Sequence, residues 1–226
     1  MDIQLNYIEK GEGEPLILLH GNGESSEYFC AQIEYFSEKY RVIALDTRGH
    51  GASPRGKCSF TIRRFSEDLH DFMDEKNIKK AHILGFSDGA NIALRFVLKY
   101  PEMADKLILN GANLFPAGVK ASVQMPITIG YRFASLFAGK SDKARKNAEM
   151  LGLMVNDPNI APEELRAIKN PTLVIVGTHD MIKDSHTRLI HENLPNSELA
   201  VIAGDHFIAN KNPEAFNRRV AAFLEK

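Results

Sequence analysis

The chain has 226 residues, 44% of them hydrophobic and 25% charged, enough apolar surface to close one α/β domain around a full core. A formal net charge of −1 and a pI near 6.7 argue against a nucleic-acid or anionic-membrane partner. Cys30 and Cys58 are too few for a disulfide scaffold and lack metal-ligand spacing. With no signal-peptide pattern at the start and no run of roughly 18 apolar residues, a cytoplasmic protein is expected.

Residues 3–9 alternate apolar and polar side chains, the pattern of an antiparallel edge strand, and Gly11 to Pro15 then turns the chain. The runs at 16–19, 42–45, 81–84, 106–109, 172–176 and 199–202 are short and mostly apolar on both faces, as strands covered by helices must be. Between them, Phe65, Leu69, Phe72 and Met73, and after residue 90 Ile92, Phe96 and Val97, fall on single helical faces. In the last helix Asn212 sits at the N-cap, Pro213 opens the first turn, and Phe216, Val220 and Phe223 form the buried stripe. These periods predict an α/β chain, a doubly wound and mostly parallel sheet within one domain spanning 1–226.

Residues 113–170 interrupt that rhythm, because a handful of residues and one helix would join the flanking strands. The segment reads as a helical cap inserted between two core strands, with helices over 127–137, about 141–155 and 162–168, and breaks at Met125-Pro126 and Asp157-Pro158. Phe115, Met125, Phe133, Phe137, Met150 and Met154 make it apolar on one side. Part of that side packs on the sheet, and the rest is expected to line an acyl pocket from Met125, Phe133, Phe137, Met181 and Phe207. Lys140, Lys143, Arg145 and Lys146, interspersed with Asp142 and Glu149, read as a solvated face.

The chemistry concentrates where strands end. Gly85-Phe86-Ser87-Asp88-Gly89 lies between the strand at 81–84 and a helical stretch, and a serine on a sharp strand-to-helix turn is exposed beside a base, with backbone N–H groups aimed at the oxyanion it creates. Glycines two residues to either side remove the side chains that would collide in such a turn. Gly177-Thr178-His179-Asp180 follows the strand at 172–176, and Gly204-Asp205-His206-Phe207 follows the last strand. All three sites fall at the carboxyl edge, where open α/β sheets gather their functional groups.

The order Ser87, Asp180, His206 resembles the α/β-hydrolase superfamily, in its small-cap esterase and haloperoxidase-like branch. Two further motifs match: His20-Gly21-Asn22-Gly23 resembles the oxyanion loop, and residues 46–53, Asp-Thr-Arg-Gly-His-Gly-Ala-Ser, resemble the D-x-R-G-H-G-x-S turn. Family members often begin with an extra strand, and this chain starts so close to Ile3 that the strand is expected to be absent. The resemblance implies Ser87 as nucleophile, His206 as general base, Asp180 as the group orienting it, and the backbone N–H groups of Asn22 and Asp88 as the oxyanion hole. Asp184, at a helix start, and Asp205, adjacent to the histidine, are rivals for the acid. Arg48 and His50 are expected to be structural. The Asp88 carboxylate either disfavours anionic substrates or only complements the helix that follows it.

No phosphate loop, dinucleotide fingerprint or metal spacing is present in the sequence, so neither a cofactor nor a metal is expected. The implied partner is a small-molecule acyl substrate, with no nucleic acid and no membrane, and the oligomeric state is left open. The resulting expectation is a serine hydrolase that cleaves a carboxylic ester, or a thioester or amide, of a small to medium apolar acyl group. The alternatives are carbon–carbon bond hydrolysis on the same fold and a non-catalytic ligand sensor built on it.

Overall fold

Side-chain alternation along each short strand divides the core into two halves. The computed structural model describes residues 2–226. β1 (Tyr7–Lys10), β2 (Glu14–Leu19), α1 (Cys30–Phe36), β3 (Tyr40–Leu45), α2 (Ile62–Glu75), β4 (Ala81–Phe86), α3 (Asp88–Lys99) and β5 (Ala104–Asn110) build the first half of the chain. α4 (Ala121–Phe137) and α5 (Asp142–Asn156) follow. β6 (Thr172–Gly177), α6 (Asp184–Asn193), β7 (Ser197–Ile202), α7 (Ile208–Lys211) and α8 (Pro213–Leu224) complete it.

The seven strands form one sheet in the order β1-β3-β2-β4-β5-β6-β7. All pairs are parallel except β1 with β3. In β2, Ile17 and Leu19 face the core half that holds Leu69, Phe72, Ile92 and Phe96 of α2 and α3. Leu16 and Leu18 face the half that holds Ile33 and Phe36 of α1 and Phe216 and Val220 of α8. Helices on both faces make the sheet doubly wound, as the two-sided apolar strands predict.

Two expectations shift. β1 begins at Tyr7 rather than Ile3, because Asn6 donates its N–H to Ser53 Oγ and its Nδ2 to Asp46 Oδ2, both at 2.8 Å, which holds it against the loop after β3. α4 begins at Ala121 and runs through Pro126 instead of starting after it. The Lys120 carbonyl starts the helix upstream by accepting the N–H groups of Val123 and Gln124, and the proline removes only one intrahelical bond, near an exposed first turn. The third cap element, Pro162–Ala167, is a 3₁₀ turn.

Arg48 is fully buried. Its Nε and Nη2 each lie 2.7 Å from a different oxygen of Asp68, and Nη2 is also 2.6 Å from Asp2. Arg48 is held by the carboxylates of Asp68 and Asp2, which fits the structural role expected of it. His186 sits where the cap leaves the sheet, accepting the Leu114 N–H on Nε2 at 2.9 Å with the edge of Phe115 against its ring. Burial lowers its pKa from 6.5 to about 4, so it is neutral in the folded state. A histidine with a depressed folded pKa contributes stability above its unfolded value and loses it as pH falls through the folded one. The wild type is therefore expected to lose melting temperature relative to a His186→Phe variant as pH drops from about 6.5 to 4. A constant difference between the two over that range would contradict the assignment.

Candidate active site

Ser87 occupies the turn between β4 and α3 with φ 53° and ψ −117°, a backbone region that costs a non-glycine residue on the order of 1–3 kcal/mol. The surrounding packing holds it there. Its N–H donates to Asn110 O at 2.8 Å, and its carbonyl accepts the N–H groups of Ala90 and Asn91. A Cβ at Gly85 would lie 2.3 Å from Gly89 O, and one at Gly89 would lie 1.9 Å from Leu19 O. Both glycines are therefore obligatory for the approach of α3 to β4 and β2. Ser87 makes no side-chain capping bond to α3, which leaves its Oγ free for other partners.

That Oγ lies 3.0 Å from His206 Nε2, and His206 Nδ1 lies 2.7 Å from Asp180 Oδ1. With Nδ1–H donating to the carboxylate, Nε2 is left to accept the serine proton. His206 and Asp180 are both buried, so the pair is shielded from water. Asp180 Oδ1 also accepts the Ile182 N–H at 2.9 Å, which fixes the carboxyl plane.

Neither rival acid reaches the histidine. Asp184 lies in the first turn of α6. Asp205 accepts the Phe207 N–H at 2.9 Å and pairs with exposed Lys211 at 2.5 Å. The structure thus gathers three residues that lie 93 and 26 positions apart in sequence into one hydrogen-bonded line.

A family model described as alpha/beta hydrolase fold matches residues 14–132, more than half of the chain. The chain belongs to the α/β-hydrolase family. It is 26% identical over 97% of its length to an (E)-2-((N-methylformamido)methylene)succinate hydrolase of Acinetobacter baylyi, covering 94% of that protein. It is 28% identical over 99% of its length to the serine hydrolase BPHL of Homo sapiens, covering 84% of it. Among solved structures, a meta-cleavage product hydrolase from Pseudomonas fluorescens superposes with a TM-score of 0.81 at 26% identity, covering 99% of this chain and 94% of that one. These relatives are named as hydrolases, and this α/β hydrolase is an enzyme of the same kind.

Beside Ser87, the loop after β2 approaches the elbow. His20 donates from Nδ1 to Gly21 O at 2.7 Å and accepts the Thr47 N–H on Nε2 at 3.0 Å. Burial, with His50 nearby, lowers its pKa to about 4, so a neutral imidazole props the loop. Glu24 closes the same turn, accepting the Gly21 N–H at 3.2 Å, and burial pushes its pKa up to about 7. The Asn22 N–H has no acceptor within the described residues, and Asp88 opens α3, where N–H groups precede the intrahelical ladder.

The expected pocket residues divide into two groups. Met181 is half-buried beside Asp180, and Phe207 is 39% exposed with its ring 5.6 Å from both His206 and Phe86. Both are at the mouth of the site. Met125, Phe133 and Phe137, expected to line an acyl pocket, are 63%, 62% and 53% exposed. Gln124, Gly130 and Tyr131 turn the other side of α4 toward α5, and a two-helix hairpin has no third layer to fold these side chains inward.

Three contacts are not announced by the sequence. Gly111, at φ +64° just after β5, leaves room for the base, since a Cβ there would lie 2.5 Å from His206 Cε1. A glycine at the carboxyl edge directly after a strand is visible in the sequence, but its contact with His206 is not. Lys120 Nζ donates to Asp180 O at 2.6 Å, and Asn22 Nδ2 donates to Met150 O in α5 at 2.8 Å. Sixty and 128 residues separate these partners, and no local pattern announces them.

Two expected outcomes follow from this packing. Gly111→Ala should leave the fold intact and lower kcat on an activated ester by about 10²-fold, the scale of an ångström-sized misplacement. A loss under about threefold would show that His206 does not depend on that gap. Asp88 is buried, with Oδ1 near Asn91 Nδ2 at 3.3 Å and Oδ2 unpartnered, and burial raises its pKa from 3.8 to about 6. A carboxyl raised in the folded state costs no stability below its unfolded pKa and an increasing amount as pH rises to the folded one. Asp88→Asn should therefore melt higher than wild type at pH 7.5, with the gap closing toward pH 4, as differential scanning fluorimetry can measure.

Proposed function

We propose that this α/β hydrolase cleaves a carboxylic ester of a small to medium apolar acyl group through an acyl-enzyme, with thioesters and amides as chemically related substrates. The observation that carries the reading is the line from Ser87 Oγ to His206 Nε2 at 3.0 Å and from Nδ1 to Asp180 at 2.7 Å, set in the strained elbow. As Ser87 Oγ attacks the acyl carbonyl, its proton passes to Nε2, and Asp180 stabilises the imidazolium. The carbonyl electron pair moves onto oxygen, where the N–H groups of Asn22 and Asp88 receive it, each such donor being worth roughly 10²- to 10³-fold in kcat. Collapse of the tetrahedral species expels the alkoxide, which takes the Nε2 proton. Water then attacks the acyl-enzyme, giving its proton to Nε2, and the acid leaves as Ser87 recovers its hydrogen. Each step uses residues of this chain alone, and the proposal invokes no cofactor.

Met181 and Phe207 offer apolar contact for the acyl group at the mouth. Two unpaired thiols, Cys30 and Cys58, suit a reducing compartment, and we place the enzyme in the cytoplasm. No helix is long and apolar enough to cross a membrane among the described residues.

Carbon–carbon bond hydrolysis is the second reading, favoured by the likeness to a meta-cleavage product hydrolase. Two carboxyl groups weigh against a carboxylated substrate: Asp88 adjoins the nucleophile, and Glu24 lies close enough to His206 to interact with it electrostatically. Above about pH 7 both are ionised and repel an anion.

Intact-protein mass after brief exposure to a fluorophosphonate, beside turnover of p-nitrophenyl esters from acetate to octanoate, tests the proposal. A single adduct, absent from Ser87→Ala, and a clear chain-length optimum are expected. Ser87→Ala and His206→Ala should each lower kcat by several orders of magnitude and together little more than singly, and Asp180→Asn by about 10³- to 10⁴-fold. Additive losses would sink the triad, and a folded protein with neither adduct nor turnover would favour a ligand sensor.

A further inference from the structure

The cap hairpin carries an apolar surface that the proposed chemistry does not use. Met125, Ile129, Phe133, Leu136 and Phe137 recur along one face of α4 and are 63%, 52%, 62%, 72% and 53% exposed. A helical wheel of 100° per residue puts them opposite Tyr131 and Gln124, which face α5. No residue of α4 is buried. Monomeric soluble proteins seldom leave such a contiguous stripe uncovered, and when they do it marks a contact surface.

Charge identifies the contact. Arg132 shares α4 with the stripe, Lys140 lies at its end, and Lys143 and Lys146 open α5. All four are exposed, and none forms an ion pair among the described residues. The acidic side chains of α5 are already engaged, Asp142 by Arg145 at 3.1 Å and Glu149 by Arg55 at 2.7 Å. A chain with a net charge of −1 thus presents a locally cationic hairpin with an apolar edge. A second copy docked symmetrically on this face would set like charges against each other. Lipid with anionic headgroups would meet the cations while its acyl region received the stripe, the arrangement of an interfacial amphipathic helix.

We propose that the α4–α5 hairpin docks on anionic lipid surfaces, with the stripe from Met125 to Phe137 inserted at the headgroup boundary and Arg132, Lys140, Lys143 and Lys146 against the phosphates. Along the sequence these lysines read as a solvated face with no membrane partner. Folding places them beside an apolar edge that no other part of the chain covers. The hairpin also touches the site, through Asn22 to Met150 O and Lys120 to Asp180 O, so docking would hold the mouth of the site near lipid-dissolved substrates.

Co-sedimentation of the full chain with sucrose-loaded vesicles tests this, comparing phosphatidylcholine alone with phosphatidylcholine containing about 30% phosphatidylglycerol, at low and at roughly 0.5 M salt. Partition into the anionic vesicles is expected, reduced by high salt and falling roughly tenfold or more in Lys140→Glu/Lys143→Glu. The Ile129→Ser/Leu136→Ser variant should lose binding while keeping its melting temperature. If that variant fails to fold, the charge-reversal variant and the salt series decide alone. Free protein in every pellet assay, or binding indifferent to lipid charge and salt, overturns the proposal. So does a dimer by light scattering that Ile129→Ser/Leu136→Ser dissolves, because the stripe is then covered by a second copy.

Discussion

The close approach of α3 to β4 and β2 is the constraint on which the site depends. Ser87 holds a positive φ because the chain must reverse from strand to helix within one residue, and the two flanking glycines let backbone meet backbone where any Cβ would collide. The strain is offset by the core on both faces of β4. Ile83 anchors the strand in one half and Leu84 and Phe86 in the other. The elbow therefore costs conformational energy that a well-packed parallel sheet supplies, and in return the serine oxygen stands clear of its own helix.

The other groups reach Ser87 through the same parallel geometry. Because β4, β5 and β6 pair side by side in parallel, their carboxyl ends lie at one edge. There Ser87 follows β4, Gly111 follows β5, and Asp180 comes three residues after β6. His206 follows β7 and is pressed into the gap that Gly111 leaves. The loop after β2 depends on a different set of contacts, in which neutral His20 bridges Gly21 and Thr47 and Glu24 closes the turn. Keeping both His20 and His186 uncharged avoids burying unpaired positive charge beside the cap and the loop.

Two carboxyl groups set the electrostatics around Ser87. Asp88 is buried with an unpartnered oxygen, and Glu24 is shielded enough to titrate near neutrality. Both raise the local negative potential as pH rises. The cap, by contrast, is cationic at its tip and tied to the site at two points, the Asn22 amide on α5 and the Lys120 ammonium on the Asp180 carbonyl. A hairpin held at its base and apolar along its free edge separates the part that positions the site from the part that meets the surroundings.

The strands, the elbow and the order of serine, aspartate and histidine were legible because they are local. Strand burial follows from runs of four or five mostly apolar residues, and a serine between two glycines at a strand end needs no partner to be recognised. The start of α4 differs from the reading because Pro126 is a local breaker, while the Lys120 N–H on Met181 O, which holds the chain where the helix begins, is a tertiary contact. Met125, Phe133 and Phe137 show the same limit: an apolar period fixes which residues share a helical face, but which way that face points depends on what else packs there. The sequence by itself determined which residues could share a strand, a turn or a face, since backbone sterics and side-chain period act over a few residues. Only the tertiary structure decided that Asp180 rather than Asp184 or Asp205 meets His206, that Gly111 makes room for it, and that the apolar edge of α4 stays exposed, because those outcomes depend on distances between segments far apart in the chain.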